Sequence, residues 1–227
     1  MFIDQYWLML VAPTLILSLW AQFKVKSTFA KYSNVPSSRR ISGQEAASIL
    51  LRTNKINNVR IEAVGGSLTD HYDPRSKTVR LSQPVFSQTS IAAIGVAAHE
   101  AGHAIQDARS YGPLVLRSTL VPIANIGSQA GPLLAIAGLF FFPGSPLFYV
   151  GIALFGGAVL FYLVTLPVEF DASARAIAIL RSNNVLSEKE LDGVKKVLTA
   201  AALTYVASAL TAVMSLIRLI LIARGRR

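Results

Sequence analysis

The sequence predicts a mainly α membrane protein, with three or four transmembrane helices joined to a polar α+β segment. Three observations carry that prediction. Of the 227 residues, 52% are hydrophobic and 15% charged, where soluble domains carry about a quarter charged residues; the mean hydropathy is +0.48. Four stretches are apolar and close to the ~20 residues that a helix needs to cross a bilayer. The polar residues gather mainly in two blocks between those stretches. The chain has no cysteine, which excludes disulfides and Cys-type zinc sites. The net charge of +10 is spread over the polar segments and the tail instead of forming one basic block. It therefore reads as cationic cytoplasmic flanks, not as a nucleic-acid surface.

Residues 1–23 form an N-terminal anchor. Its apolar run is Tyr6 to Phe23, with Trp7 and Trp20 near the two ends, where interfacial aromatics belong. Pro13 is tolerable in a membrane helix. Met1-Phe2-Ile3-Asp4-Gln5 has no basic side chain, and the cations follow the apolar run. That order predicts an uncleaved signal anchor with its N-terminus outside.

Residues 24–118 form the first polar segment. Lys24, Lys26, Lys31, Arg39 and Arg40 open it, and Arg109 and Arg117 close it, so the positive-inside rule puts it in the cytoplasm. Ser42-Gly43-Gln44-Glu45 is a capping box and starts a helix running to about Asn54. Val59 to Ala63 alternates as a strand does, ending at Gly65-Gly66. Ser67–Tyr72 and Thr78–Ser82 flank the turn Asp73-Pro74-Arg75-Ser76 and predict a hairpin. Ser90 caps the helix that follows.

Residues 119–166 predict a transmembrane hairpin, Leu120–Phe142 and Leu147–Leu166, turning at Pro143-Gly144-Ser145. Gly131, Gly138, Gly151, Gly156 and Gly157 read as close-packing surfaces for neighbouring helices. Residues 167–198 return to the cytoplasmic side, with Pro167 in the first turn of a new helix. Residues 199–227 hold a last apolar run, Thr199–Ala223, interrupted by Arg218 and followed by Arg224-Gly225-Arg226-Arg227. A fourth span would put that basic tail outside, against the positive-inside rule. The alternative is an interfacial or re-entrant helix, so both three and four spans are carried forward.

The chemistry concentrates at His99-Glu100-Ala101-Gly102-His103. On a helix, positions i and i+4 share a face, so His99 and His103 can bind one Zn²⁺ while Glu100 reaches a water on the metal. A catalytic zinc needs a third protein ligand. Two predicted spans separate the motif from residues 167–198, which places both in one compartment. Glu169 is the expected ligand there and Asp171 the runner-up. Zinc would polarise water and the substrate carbonyl, and Glu100 would act as general base and then acid. His71, Tyr72 and Arg175 are candidates for stabilising the oxyanion. Thr78–Ser82 is read as an edge strand on which an extended peptide substrate could add.

Asp70-His71-Tyr72-Asp73-Pro74-Arg75, Val79-Arg80-Leu81-Ser82, Ala97 to Gln106 and Leu166 to Ser173, behind an N-terminal anchor, together resemble the YugP-like family of bacterial membrane zinc metallopeptidases. More distantly they resemble the HtpX-type proteases among the gluzincins. The resemblance spans nearly the whole chain. It implies a zincin-like catalytic domain with one Zn²⁺ per chain, the ligands His99, His103 and Glu169, and Glu100 as base. It also implies polypeptide substrates, membrane or misfolded proteins among them, and a multi-pass protein of the bacterial inner membrane with its active site at the cytoplasmic face. One position departs from the HtpX-type pattern. An Asp follows the ligand Glu by four residues there; here that position is Ser173, and the nearby acid is Asp171. Asp107, four residues after His103, is an alternative partner on the motif helix. The competing readings are a non-proteolytic membrane scaffold or adaptor that keeps a zinc site, and a transporter or small channel with a cytoplasmic domain. An intact Glu100 speaks against the first. The scarcity of ionisable residues within the spans speaks against the second.

Overall fold

A computed structural model of the chain describes residues 4–225. A π-helical turn, Trp7–Val11, runs into α1, Ala12–Ser33. Then come α2 (Gly43–Thr53), β1 (Arg60–Val64), β2 (His71–Asp73), β3 (Thr78–Ser82), α3 (Gln83–Ser87) and α4 (Ile91–Ala108). Three long helices complete the chain: α5 (Gly112–Phe140), α6 (Leu147–Ser182) and α7 (Glu188–Arg224). The elements gather into two compact units.

The first unit comprises the described residues of Met1–Gln22, Val115–Leu166 and Leu203–Arg227. Among the described residues, four helices are long and apolar enough to cross a membrane: Trp7–Ser33, Gly112–Phe140, Leu147–Ser182 and Glu188–Arg224. The unit leaves large apolar side chains such as Met9, Ile16, Leu133 and Phe141 exposed, as a lipid-facing surface requires. Within it, α5 and α6 pack backbone to backbone. A Cβ on Gly127 would lie 2.1 Å from the Leu154 carbonyl, and one on Gly151 would lie 2.3 Å from the Ala135 nitrogen. A Cβ on Gly138 would lie 2.3 Å from the Phe148 nitrogen and one on Gly131 2.8 Å from Phe155, and Gly157 faces Ile123. Gly156 is the exception to the expected packing role, since nothing lies within 4 Å of its Cβ position. Arg218 is neutralised by Asp4, at 2.5 Å. The same carboxylate accepts the Trp7 N–H and so caps the first helix.

The second unit comprises Phe23–Leu114 and Pro167–Ala202. The capping box at Ser42 and Glu45 forms as the sequence predicts. Its helix, α2, packs Leu50 and Leu51 into a core that includes Ile94 and Ile105 of α4, Leu81 of β3, Leu180 of α6 and Val194 of α7. The sheet has the order β1-β3-β2. β2 and β3 form the predicted antiparallel hairpin, with Tyr72 opposite Val79. β1 runs parallel to β3 on its other side, with Ile61 opposite Val79.

This order corrects one expectation. β3 is the central strand, buried at Thr78, Val79, Leu81 and Ser82, so its backbone groups are already paired on both sides and it offers no edge to a substrate. A second correction concerns Pro167. It begins no helix but lies inside α6, so Glu169 and Asp171 are mid-helix residues and gain nothing from a helix N-terminus. The last apolar run is likewise part of a longer helix, α7, which starts at Glu188 in the polar segment.

Candidate metal centre

Two helices of the second unit build the site. Ser90 caps α4 by accepting the Ala93 N–H at 3.2 Å. Small residues then line the helix, so α6 can approach closely. A Cβ on Gly102 would lie 2.7 Å from the backbone carbonyl oxygen of Ala172. Gly102 belongs to the histidine motif and Ala172 lies three residues after Glu169. The contact therefore sets the two ligand-bearing segments side by side.

His99 Nε2 lies 3.2 Å from Glu169 Oε2, and His103 Nε2 lies 3.6 Å from the same oxygen. The two rings stand nearly perpendicular, with centroids 4.7 Å apart. All three ligand atoms fall within 4.8 Å of one another. Among the described residues this is the group of three His, Asp or Glu side chains that could hold a metal. A tetrahedral Zn²⁺ with bonds of ~2.0–2.2 Å needs ligand atoms about 3.4 Å apart. The measured separations bracket that value, and two imidazoles with one carboxylate are a donor set that zinc accepts. The residues therefore fit the ion. Glu169 and His103 are buried and His99 nearly so, at 14% side-chain exposure. Burial disfavours a charged His103. The Glu169 hydrogen bond and the charges of Glu100 and Glu169 outweigh it and raise the ring's pKa above its ordinary value. The site thus attracts a cation. Glu100, on the turn between the histidines, is also buried.

The outer nitrogen of each imidazole has its own partner. His99 Nδ1 meets Ser173 Oγ at 3.1 Å, and His103 Nδ1 meets Gln106 Oε1 at 3.0 Å. Gln106 donates in turn to the Val168 carbonyl at 2.8 Å and to Asp171 Oδ2 at 2.7 Å. Arg175 donates to the same Asp171 oxygen and stacks its guanidinium over Tyr111, 5.5 Å from the ring centroid.

The other predicted site residues lie apart from the three ligand atoms. Asp171 is directed at Gln106 and Arg175, not at the histidines. Asp107 does not support His103; it accepts from the Tyr72 hydroxyl at 2.6 Å and from Lys77 at 2.5 Å. That pairing also engages Tyr72, whose phenol is pushed up by burial and by Asp107. His71 is exposed on β2, with Nδ1 against the Thr69 carbonyl. Arg175 is committed to Asp171. None of His71, Tyr72 and Arg175 is thus directed at the metal position. Sequence reasoning gave no role to Gln106 or Ser173. Each has a signal in hindsight: Gln106 follows His103 by three and Ser173 follows Glu169 by four, spacings that share a helix face.

Residues 7–224 match the family described as "Putative neutral zinc metallopeptidase". The chain is 50% identical over 214 residues to the "Putative membrane protease YugP" of Bacillus subtilis (strain 168), which covers 94% of each chain. No solved structure matches it. The chain belongs to this YugP-like zinc metallopeptidase family.

Proposed function

We propose that the protein is an integral-membrane zinc endopeptidase of gluzincin type, binding one Zn²⁺ per chain through His99, His103 and Glu169. The observation that carries this reading is the convergence of two imidazole nitrogens and a buried carboxylate oxygen at zinc-like spacing. Family membership supports the same chemistry.

Bound zinc supplies Lewis-acid activation of water and of the peptide carbonyl. Glu100 is the general base: its carboxylate takes the proton from the attacking water and delivers it to the leaving amine. His99 and His103 hold their Nε2 atoms toward the metal position, and Ser173 and Gln106 orient the two rings from behind. The basic flanks of residues 24–118 support an active site at the cytoplasmic face of the bacterial inner membrane. Residues 1–23, 119–166 and 199–227 would then anchor the metal-binding segments 24–118 and 167–198. By analogy with HtpX-type proteases, the substrates would be membrane or misfolded polypeptides handled in quality control.

The test is metal content by mass spectrometry on detergent-purified wild type, Glu169→Ala and Glu100→Gln, with casein cleavage followed in parallel. The expected result is one zinc per wild-type chain with cleavage, loss of zinc in Glu169→Ala, and zinc without cleavage in Glu100→Gln. General acid–base catalysis is worth roughly 10²–10⁴-fold, so Glu100→Gln should lose at least ~10²-fold in kcat. Zinc retained by Glu169→Ala would overturn the ligand set. A zinc-loaded wild type that cleaves nothing would favour a scaffold that keeps the site.

A further inference from the structure

Gln106 is fully buried and lies between the metal group and an acid–base pair. Its contacts leave one way to orient the amide. The Val168 carbonyl can only accept a hydrogen bond, and the Asp171 carboxylate, already receiving Arg175, also accepts. Both lie at Nε2 of Gln106, so the NH₂ group faces α6 and Oε1 faces His103. An amide oxygen has no proton to give, so His103 Nδ1 must carry the hydrogen of their 3.0 Å contact. In the neutral ring that a metal requires, Nε2 then keeps its lone pair on the side of Glu169.

We propose that Gln106 is a positioning residue that fixes His103 in the Nδ1–H tautomer and links it to the charge of Asp171. The inference rests on the zinc reading above. It gives Asp171, the runner-up ligand, a different role: the carboxylate supports His103 through an intervening amide. The two ligand histidines are thereby backed unequally, His99 by the hydroxyl of Ser173 and His103 by an amide tied to an ionised pair.

The experiment measures zinc affinity by chelator competition on the full-length protein in detergent, for wild type, Gln106→Leu, Gln106→Glu and Asp171→Asn. Outer partners of ligand histidines are worth about 10–100-fold in metal affinity, so Gln106→Leu should weaken zinc by that factor. Gln106→Glu sets two carboxylates 2.7 Å apart and should weaken it also. Asp171→Asn keeps an acceptor oxygen for Gln106 and Arg175 but removes the charge; it should also weaken zinc, by less than Gln106→Leu, whereas a role of Gln106 in packing alone predicts no effect of that charge. A second readout needs no variant. The chain has three histidines, so ¹⁵N-histidine labelling of zinc-loaded wild type resolves each ring, and His103 should show a protonated Nδ1. A proton on Nε2, unchanged zinc affinity in Gln106→Leu, or unchanged zinc affinity in Asp171→Asn would each overturn the inference. A wild type that takes up no zinc would overturn the metal reading itself, and this inference with it.

Discussion

Gly102→Ala is the sharpest test of how the two ligand-bearing helices are held. The added Cβ would meet the Ala172 carbonyl oxygen at 2.7 Å, and the Ala172 C and Cα at 3.2 Å. Ordinary contact begins at 3.4 Å, so α4 and α6 must part by about 0.7 Å at this point. The obstacle is backbone within a helix, which cannot rotate aside as a side chain does. Metal–ligand distances hold to about ±0.2 Å, and Ala172 sits one turn from Glu169. A displacement several times that tolerance reaches the carboxylate that completes the site. Overpacking costs about 1–3 kcal/mol, and replacing a mid-helix Gly with Ala returns roughly 0.5–1 kcal/mol. The metal-free protein should therefore lose only about 0–2.5 kcal/mol. If 1–2 kcal/mol of the strain opposes the metal-bound geometry, the zinc dissociation constant rises about 5–30-fold. Gly95→Ala is the control on the same helix. Its Cβ meets Val194 Cγ1 of α7 at 3.1 Å, a smaller overlap that does not bear on the α4–α6 contact, and zinc binding should not change. Chelator competition measures the affinities, and thermal unfolding of metal-free protein separates stability from binding. Zinc binding by Gly102→Ala within twofold of wild type would refute the argument that this contact sets the ligand spacing.

Two further substitutions probe the frame around the site. Asp70 accepts the Ser82 N–H and hydroxyl, while burial raises its pKa above the ordinary 3.8. The ionised form is thus disfavoured by folding, and its penalty is present above the raised value and relieved as pH falls through it. Asp70→Asn keeps the carbonyl acceptor without the charge. It should stay within ~1 kcal/mol of wild type and lose this pH dependence, whereas Asp70→Ala should cost about 1–3 kcal/mol; melting temperature against pH decides, and equal damage from both variants would count against the hydrogen-bond account. In the membrane unit, Gly127→Leu places its Cβ 2.1 Å from the Leu154 carbonyl and should unfold the α5–α6 hairpin in detergent. Gly156→Ala, with nothing within 4 Å, should be tolerated.

Local signals in the sequence carried much of the fold. The capping box at Ser42, the Ser90 cap, the hairpin turn and the limits of β3 all depend on residues within a few positions of each other. What failed were boundaries and pairings settled elsewhere in the chain. Pro167 reads as a helix start because it lacks an N–H, yet in α6 the apolar helix continues through it. Leaving one carbonyl unpaired costs less than breaking a helix packed on both sides of the position, at Val159 and Ala172. The place of β3 in the sheet depends on β1, which pairs parallel from the far side. The sequence carried a trace of this, since Thr78 and Ser82 are small enough to be buried along with Val79 and Leu81. In an edge strand with one wet face, alternate positions would be polar and exposed.

The same division runs through the metal centre. The pairing of His99 with His103 is legible because i, i+4 spacing is a property of one helix. Glu169 is expected from the two predicted spans and the need for a third ligand, and its carboxylate oxygen lies within 4.8 Å of the two imidazole nitrogens. The supporting residues were not legible, because two carboxylates competed on sequence spacing alone. Asp107 follows His103 by four and looks like its natural partner, whereas Asp171 follows Glu169 by two and looks like a rival ligand. Packing assigned them otherwise. β2 and Lys77 claim Asp107, while the approach of α6 brings Asp171 to Gln106. A search for charges near histidines passes over a glutamine, yet an amide can accept from an imidazole and donate to a carboxylate at once. It carries the influence of a charge to His103 without placing a second anion against Glu169, where two adjacent carboxylates would compete for one proton.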